Sequence, residues 1–335
     1  MTLIDAWRTP QGIVVHADSQ ETVGDYRVEV KKIQEITVGD WQLIIVGAGR
    51  PGDLIDSFSI RMRRAMAGFT STSLADLLQH IETELGQFYV TDVHLCPDPE
   101  KSVRFLIAAA CRVSQQYECW TTKNITLCPI PNDSVQLLGW DEALYQGIAN
   151  KFFHQKMSVA QAILAGVYLF TVAGSTSNYV KEPFAVSVVK WDGIWREEDS
   201  YISTLVARLR DYERSLNQLF LCCADTQISP SRLGLILEAF NKHVQALHQQ
   251  QLDVEVQKAQ NPAGGIRMTV NPASRLPPGT SFTVSPQGRI TKVEYDVDFL
   301  AEVNQAMRDA EEDAAQQADA EPTGDTEPET GNDHN

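Results

Sequence analysis

The residues of this chain that are best suited to chemistry lie at its amino-terminal end. Thr2 follows Met1, and a threonine is small enough for routine removal of the initiator methionine. Removal leaves a free α-amine beside the threonine hydroxyl, which pairs a nucleophile with its own base. An α-amine has a reference pKa of about 8, so it is partly neutral at pH 7 and can accept the hydroxyl proton. The sequence therefore predicts a nucleophile at Thr2 that attacks a peptide or amide carbonyl.

Several short motifs follow Thr2 at ordered spacing. They are Gly12-Ile13-Val14-Val15, Ala17-Asp18-Ser19, Thr22-Val23-Gly24, Val30-Lys31-Lys32-Ile33, Ala48-Gly49 and Asp53. In type and spacing this opening resembles the proteasome β-type family of N-terminal-nucleophile (Ntn) hydrolases, which includes the bacterial proteasome-like peptidases. The resemblance extends to about residue 193, and the remainder of the chain has no counterpart in that family.

The resemblance implies a catalytic role for four residues. Thr2 is the nucleophile, and Lys32 is a nearby cation that lowers the pKa of its hydroxyl and amine. Asp18 holds that lysine in an ion pair. The backbone N–H of Gly49 points at the developing oxyanion, where one such donor contributes about 3 kcal/mol in the transition state.

The resemblance also implies a substrate-binding rim. Thr22 and Gly24 lie where an extended peptide pairs as an added strand. The pocket for the residue before the scissile bond takes Glu21, Val30, Gln34, Gly47 and Pro51. The acid at Glu21 and the small Gly47 favour a roomy pocket that accepts a basic or polar side chain.

Two supports of the threonine amine depart from the family pattern. The first position reads Gly139-Trp140-Asp141-Glu142, without a serine. The second reads Gly174-Ser175-Thr176-Ser177-Asn178, where Ser177 is the match and the expected aspartate is missing. A catalytically inactive scaffold or interaction subunit of the same fold is therefore an alternative to a threonine peptidase, and an amidase for a small amide is another.

Alternating apolar residues, turn signals and helical periodicity predict the order of elements. Strands are predicted at 2–8, 12–18, 28–37, 41–47, 103–110, 117–121, 125–128, 135–139 and 184–190, and helices at about 54–66, 73–88, 141–154 and 158–173. Further helices are predicted at 200–223, 230–257 and 297–315, with strands at 266–271, 281–284 and 289–295. Runs of strands and pairs of helices favour an α+β fold, a four-layer αββα Ntn-hydrolase sandwich of two antiparallel sheets. The predicted domains are 1–198, the Ntn-hydrolase domain; 199–308, a C-terminal helical and β module; and 309–335, a disordered acidic tail.

Composition limits the cellular context and the partners. The formal net charge is −16, and the stretch from 309 to 335 carries most of the excess acid with no Lys or Arg, which argues against nucleic-acid binding. No apolar run approaches the roughly 20 residues of a membrane span, so a cytoplasmic protein without a membrane partner is expected. The six cysteines form no CxxC pair, and neither a metal nor a cofactor is predicted. The expected partners are a peptide or amide substrate and further copies of the chain, in a ring or other homo-oligomer.

Overall fold

The structure is a computed structural model that describes most of the chain. The described residues are 2–23, 26–99, 101–132, 134–225, 227–260, 280–284 and 290–295. The chain divides into two compact units, Met1–Met268 and Thr269–Asn335.

The first unit contains six helices and twelve strands within its described residues. The strands are β1 (Leu3–Thr9), β2 (Gly12–Asp18), β3 (Gln20–Val23), β4 (Tyr26–Glu29), β5 (Gln34–Val38), β6 (Trp41–Arg50), β7 (Ser102–Cys111), β8 (Tyr117–Lys123), β9 (Thr126–Pro129), β10 (Val135–Gly139), β11 (Phe184–Lys190) and β12 (Gly193–Arg196). The helices are α1 (Gly52–Met66), α2 (Leu74–Phe88), α3 (Glu142–Phe152), α4 (Val159–Thr176), α5 (Asp199–Ala224) and α6 (Pro230–Gln260), and a π-helical turn at Tyr89–Val93 continues α2. In the second unit, β13 (Thr280–Val284) pairs antiparallel with β14 (Ile290–Tyr295).

The larger strands form two five-stranded sheets in which neighbouring strands are antiparallel. The first sheet has the order β10-β1-β2-β11-β12 and the second the order β5-β6-β7-β8-β9. The predicted α+β class with two antiparallel sheets is therefore confirmed. In the first sheet β1 lies between β10 and β2, so the segment that carries Thr2 leads into the interior of a sheet.

The apolar core forms three clusters. One combines residues of both sheets, including Ile4, Val15, Ile44, Leu106 and Ala108. A second, the helix-facing cluster of the first sheet, combines Leu3, Trp7 and Val14 with residues of α3, α4 and α5. A third joins the second sheet to α1 and α2. Because alternate residues of a strand point to opposite faces, a strand such as β2 is buried on both sides.

Helix α4 has a strong start and an apolar body. Ser158 accepts a hydrogen bond from the backbone N–H of Gln161, whose side chain reaches back to the N–H of Ser158, as in a capping box. By length and composition this helix could cross a membrane, although 56% of it is buried inside the protein. An apolar stretch close to membrane-span length is thus present, contrary to the expectation from the sequence, and here it is a core helix.

The largest departure from the predicted elements lies between β2 and β6. A single strand at 28–37 was expected, but β4 ends at Glu29 and β5 begins at Gln34, and β3 and β4 form a separate two-stranded hairpin. The sequence of β3, Gln20–Val23, shows no alternation of apolar and polar positions, whereas that of β4 does alternate. The short strand β12 was also not predicted.

The carboxyl-terminal predictions are only partly covered by described residues. Strands β13 and β14 agree with the predictions at 281–284 and 289–295. The predicted strand at 266–271, the helix at 297–315 and the acidic tail at 309–335 lie outside the described residues. The predicted domain boundaries stay a prediction, and the first turns of α5 contribute Tyr201, Ile202 and Leu205 to the helix-facing cluster.

Candidate active site

Thr2 immediately precedes β1 and is held there by its main chain. Its carbonyl oxygen accepts a hydrogen bond of 2.9 Å from the backbone N–H of Trp140, the residue after β10. Gly139 adopts φ +111°, and a Cβ there would lie 1.8 Å from the Thr2 carbonyl oxygen. Only glycine permits this close approach.

The side chain of Lys32 joins Thr2 to Asp18. Its Nζ lies 2.5 Å from Thr2 Oγ1 and 2.9 Å from Asp18 Oδ2. The second carboxylate oxygen, Oδ1, accepts the backbone N–H of Leu3 at 3.0 Å. The Asp18 side chain is fully buried and that of Lys32 is 9% exposed.

This arrangement can make the hydroxyl of Thr2 more acidic. An ammonium within hydrogen-bond distance favours the alkoxide over the alcohol. The buried carboxylate compensates the ammonium and fixes its position, because neither charge is surrounded by water. The structure thus brings together three of the predicted catalytic residues, and their catalytic roles stay a prediction.

Gly49 lies near the exposed end of β6 and has a conformation that other residues rarely adopt. Its φ is +151°, and a Cβ would lie 1.9 Å from the carbonyl oxygen of Ser102 on the neighbouring strand. A glycine is therefore required by the backbone at this position. Its predicted role as an oxyanion donor stays a prediction.

Two residues of the predicted substrate pocket, Gly47 and Gln34, are used in contacts within the protein. The space at Gly47 is filled, because a Cβ there would lie 2.6 Å from Ile55 Cγ2 and 3.1 Å from a ring carbon of Phe105. The small residue thus makes room for helix α1, and its place in the substrate pocket stays a prediction. Gln34 is half-buried, donates to the carbonyl of Lys31 at 2.9 Å and accepts from Arg63 at 3.5 Å.

The remaining predicted residues lie on two other segments. Ser177 ends helix α4, and its hydroxyl accepts the backbone N–H of Tyr179 at 3.0 Å. Glu21 and Thr22 lie on β3, opposite Val28 and Arg27 of β4. Gly24 lies outside the described residues.

An aromatic pair that includes Trp140, whose backbone N–H contacts Thr2, was not predicted from the sequence. The ring centroids of Trp140 and Tyr179 are 4.4 Å apart with an interplanar angle of 48°. The two residues come from the loops where the family pattern expects its serines. The signal available in the sequence was the Gly139-Trp140 step at the end of a strand.

A buried polar pair lies beneath the same sheet. His16 Nδ1 and Asp5 Oδ1 are 2.5 Å apart, and both side chains have zero exposure. The imidazole lies against Gly166 of α4, where a Cβ would be 2.1 Å from its Cε1. This pair links β1 to β2. Because the imidazole lies so close to α4, the helix needs a glycine at position 166.

Comparison with known proteins identifies the fold. No protein-family model matches the chain, and no curated protein matches it. Among solved structures, the chain is similar to Anbu (ancestral beta-subunit) from Yersinia bercovieri, with 13% identity and a TM-score of 0.55 over 68% of this chain and 98% of that one. It is also similar to Anbu in the helical assembly of the Anbu complex from Pseudomonas aeruginosa, with 17% identity and a TM-score of 0.55 over 68% of this chain and 99% of that one. Anbu carrying a Gly-1 mutation from Hyphomicrobium sp. strain MC1 aligns with 14% identity and a TM-score of 0.54 over 67% of this chain and 100% of that one.

These similarities define an Anbu-like fold. They correct the sequence-based family assignment, because the structures found are Anbu proteins and the assignment to the proteasome β-type and bacterial proteasome-like peptidase family is therefore wrong. At 13–17% identity the comparisons establish the fold alone.

Proposed function

We propose that this protein is a threonine-type N-terminal-nucleophile hydrolase that cleaves peptide or amide bonds after removal of Met1, on a four-layer αββα sandwich. The observation that carries the proposal is the placement of Lys32 Nζ 2.5 Å from Thr2 Oγ1 and 2.9 Å from Asp18 Oδ2. A merely structural lysine has no need to contact the hydroxyl of the second residue. The arrangement gives that hydroxyl a positive neighbour and gives the positive charge a buried counter-ion.

The proposed reaction has the following steps. The α-amine of Thr2 takes the proton of its hydroxyl, and Oγ attacks the substrate carbonyl to form a tetrahedral oxyanion. The N–H of Gly49 donates to that oxyanion. The carbon–nitrogen bond then breaks, the departing amine takes the proton, and an ester remains on Thr2. Water adds to the ester with the α-amine as base, which releases the acid and restores the hydroxyl.

A scaffold function is the second candidate, and one observation favours it. The Ser177 hydroxyl accepts a hydrogen bond from the backbone N–H of Tyr179, so it is used in its own turn. Trp140 stands where the proteasome β-type pattern has a serine. A protein that keeps the fold but lacks support for the Thr2 amine would act by binding.

We also propose that the protein associates with itself in the cytoplasm. The P. aeruginosa Anbu to which it is similar forms a helical assembly. A solution mass measured by light scattering tests this part of the proposal, and a monomer at micromolar concentration contradicts it.

Two measurements test the catalytic proposal. The intact mass of the purified protein is expected to be that of the chain without Met1. A retained methionine would leave Thr2 without a free α-amine to act as the base. A covalent threonine-directed inhibitor is then expected to add one adduct at Thr2, and fluorogenic peptides are expected to be cleaved. The Thr2→Ala variant should lose both signals, whereas Thr2→Ser should keep part of the activity because it retains a hydroxyl beside the amine. Equal rates in the parent and Thr2→Ala would favour the scaffold.

A further inference from the structure

We infer that Trp140 and Tyr179 form a subsite, the aromatic wall, for an aromatic or large apolar side chain on the leaving-group side of the substrate. The inference rests on the proposed function, since it specifies the substrate of the same site. It concerns residues that the opening motifs around Thr2, Asp18 and Lys32 do not include.

The aromatic wall adjoins the nucleophile through the backbone. The N–H of Trp140 donates to the carbonyl oxygen of Thr2 at 2.9 Å. Gly139 contacts the same carbonyl so closely that no side chain fits there. The backbone of Trp140 is therefore fixed to the start of β1, next to Thr2.

The two rings differ in exposure. Trp140 is half-buried and packs against the helix-facing cluster of the first sheet. Tyr179 packs on it with centroids 4.4 Å apart and is 42% exposed. An anchored indole with a partly exposed phenol offers a rigid apolar surface, on which a third ring can pack at the 4.5–7 Å typical of aromatic pairs.

The side of Thr2 on which the wall lies determines which part of the substrate meets it. Lys32, which precedes β5, contacts Thr2 Oγ1. Gln34, on β5, belongs to the predicted pocket for the residue before the scissile bond. The acyl part of the substrate therefore occupies the side of the second sheet. Trp140 follows β10 of the first sheet, at the Thr2 carbonyl, so the departing amine leaves along the aromatic wall.

Matched substrates test this specificity. We would compare kcat/KM for two internally quenched peptides that differ only by Phe or Ala immediately after the scissile bond. An aromatic contact of this kind corresponds to about a 5-fold preference for Phe. The preference is expected to fall to about 1 in Tyr179→Ala and to persist in Tyr179→Phe, which keeps the ring. Trp191→Ala removes another aromatic residue of similar exposure, 40%, and should keep the preference.

A binding measurement separates this inference from the proposed function. Saturation-transfer NMR would follow the peptide amides Phe-Ala-Gly and Ala-Ala-Gly, which mimic the departing amine, on the Thr2→Ala protein. The Phe peptide should bind about 5-fold more tightly, and adding Tyr179→Ala should abolish the difference. If the Phe peptide binds selectively but the parent protein cleaves no peptide, the aromatic wall is retained and the proposed hydrolase function is refuted. Cleavage without a preference for Phe, or equal binding of both peptides, would overturn the wall. The two peptides would also bind equally if another copy of the chain covered Tyr179, and that result would overturn the aromatic wall as well.

Discussion

Replacing Lys32 with methionine should lower both stability and activity. The substitution keeps the length of the side chain and removes an ammonium that is 2.9 Å from Asp18 and 9% exposed. At an effective dielectric constant of about 20, charges at that distance attract by about 6 kcal/mol. Much of this attraction offsets the cost of burying both charges, and removal of one partner from a buried pair costs about 3–5 kcal/mol. We expect the free energy of unfolding to fall by about 3 kcal/mol, because Asp18 keeps the N–H of Leu3.

The catalytic effect has a different origin. Lys32→Met removes the positive charge 2.5 Å from Thr2 Oγ1. Loss of one hydrogen-bond donor to a developing oxyanion lowers kcat by about 10²–10³-fold, and we expect a loss of similar size here. Urea unfolding followed by tryptophan fluorescence gives the stability, and peptide cleavage below the unfolding range gives the activity.

A double variant separates the two effects. Lys32→Met with Asp18→Asn leaves no uncompensated charge, and the amide oxygen of the asparagine can still accept the N–H of Leu3. Most of the lost stability should return, while activity should not. Were Lys32→Met to unfold within about 0.5 kcal/mol of the parent, the size of an ordinary surface substitution, the ammonium would not be held as the structure shows. Full activity in the double variant would refute the role of the charge.

Three further outcomes are expected. Gly49→Ala should lower kcat more than it raises KM and should lower the free energy of unfolding by about 1–3 kcal/mol, because alanine at φ +151° meets the Ser102 carbonyl. The matched control is Gly86→Ala in α2, where a side chain has open space. This control should be neutral or stabilising in a thermal melt. Burial raises the pKa of Cys119 to about 12, against a smaller lowering by a neighbouring arginine, so at pH 8 an aromatic disulfide reagent should label the exposed Cys223 and spare Cys119 until the protein unfolds. Burial also raises the pKa of Tyr201 to about 12. The stability that the neutral phenol contributes is therefore fully present below the unfolded-state pKa of about 10, and it is lost as the pH rises toward 12. In urea titrations Tyr201→Phe should lose stability less steeply across that range, and an unchanged slope would contradict the prediction.

The position of Asp18 could be predicted because it depends on local geometry. A short turn at Pro10 and Gln11 joins β1 to β2, and the register that pairs Ile4 with Ala17 places Leu3 opposite Asp18. The length of that turn fixes the register, because a hairpin turn sets which residues face each other. The contact between Asp18 and the N–H of Leu3 follows directly.

Other parts of the site depend on packing between distant segments. Lys32 reaches Thr2 because the two sheets face each other over a shared cluster of apolar residues, and only the resemblance to a known family suggested that approach. Ile55 fills the space at Gly47 because of the way α1 lies on β6, which the sequence does not specify. The pairing of Trp140 with Tyr179 joins two loops far apart in the chain and has no periodic signal. The similarity to Anbu structures was also not predicted from the motifs.

The contribution of α5 and α6 to the core determines where the chain can be shortened. Tyr201, Leu205 and Leu209 of α5, and Val254 near the end of α6, are all buried in the helix-facing cluster. A protein cut after residue 198, at the predicted domain boundary, would expose an apolar surface along α4 and should precipitate on expression. A cut placed after residue 260 keeps that apolar surface covered by α5 and α6, so it is the better end point for crystallisation or display.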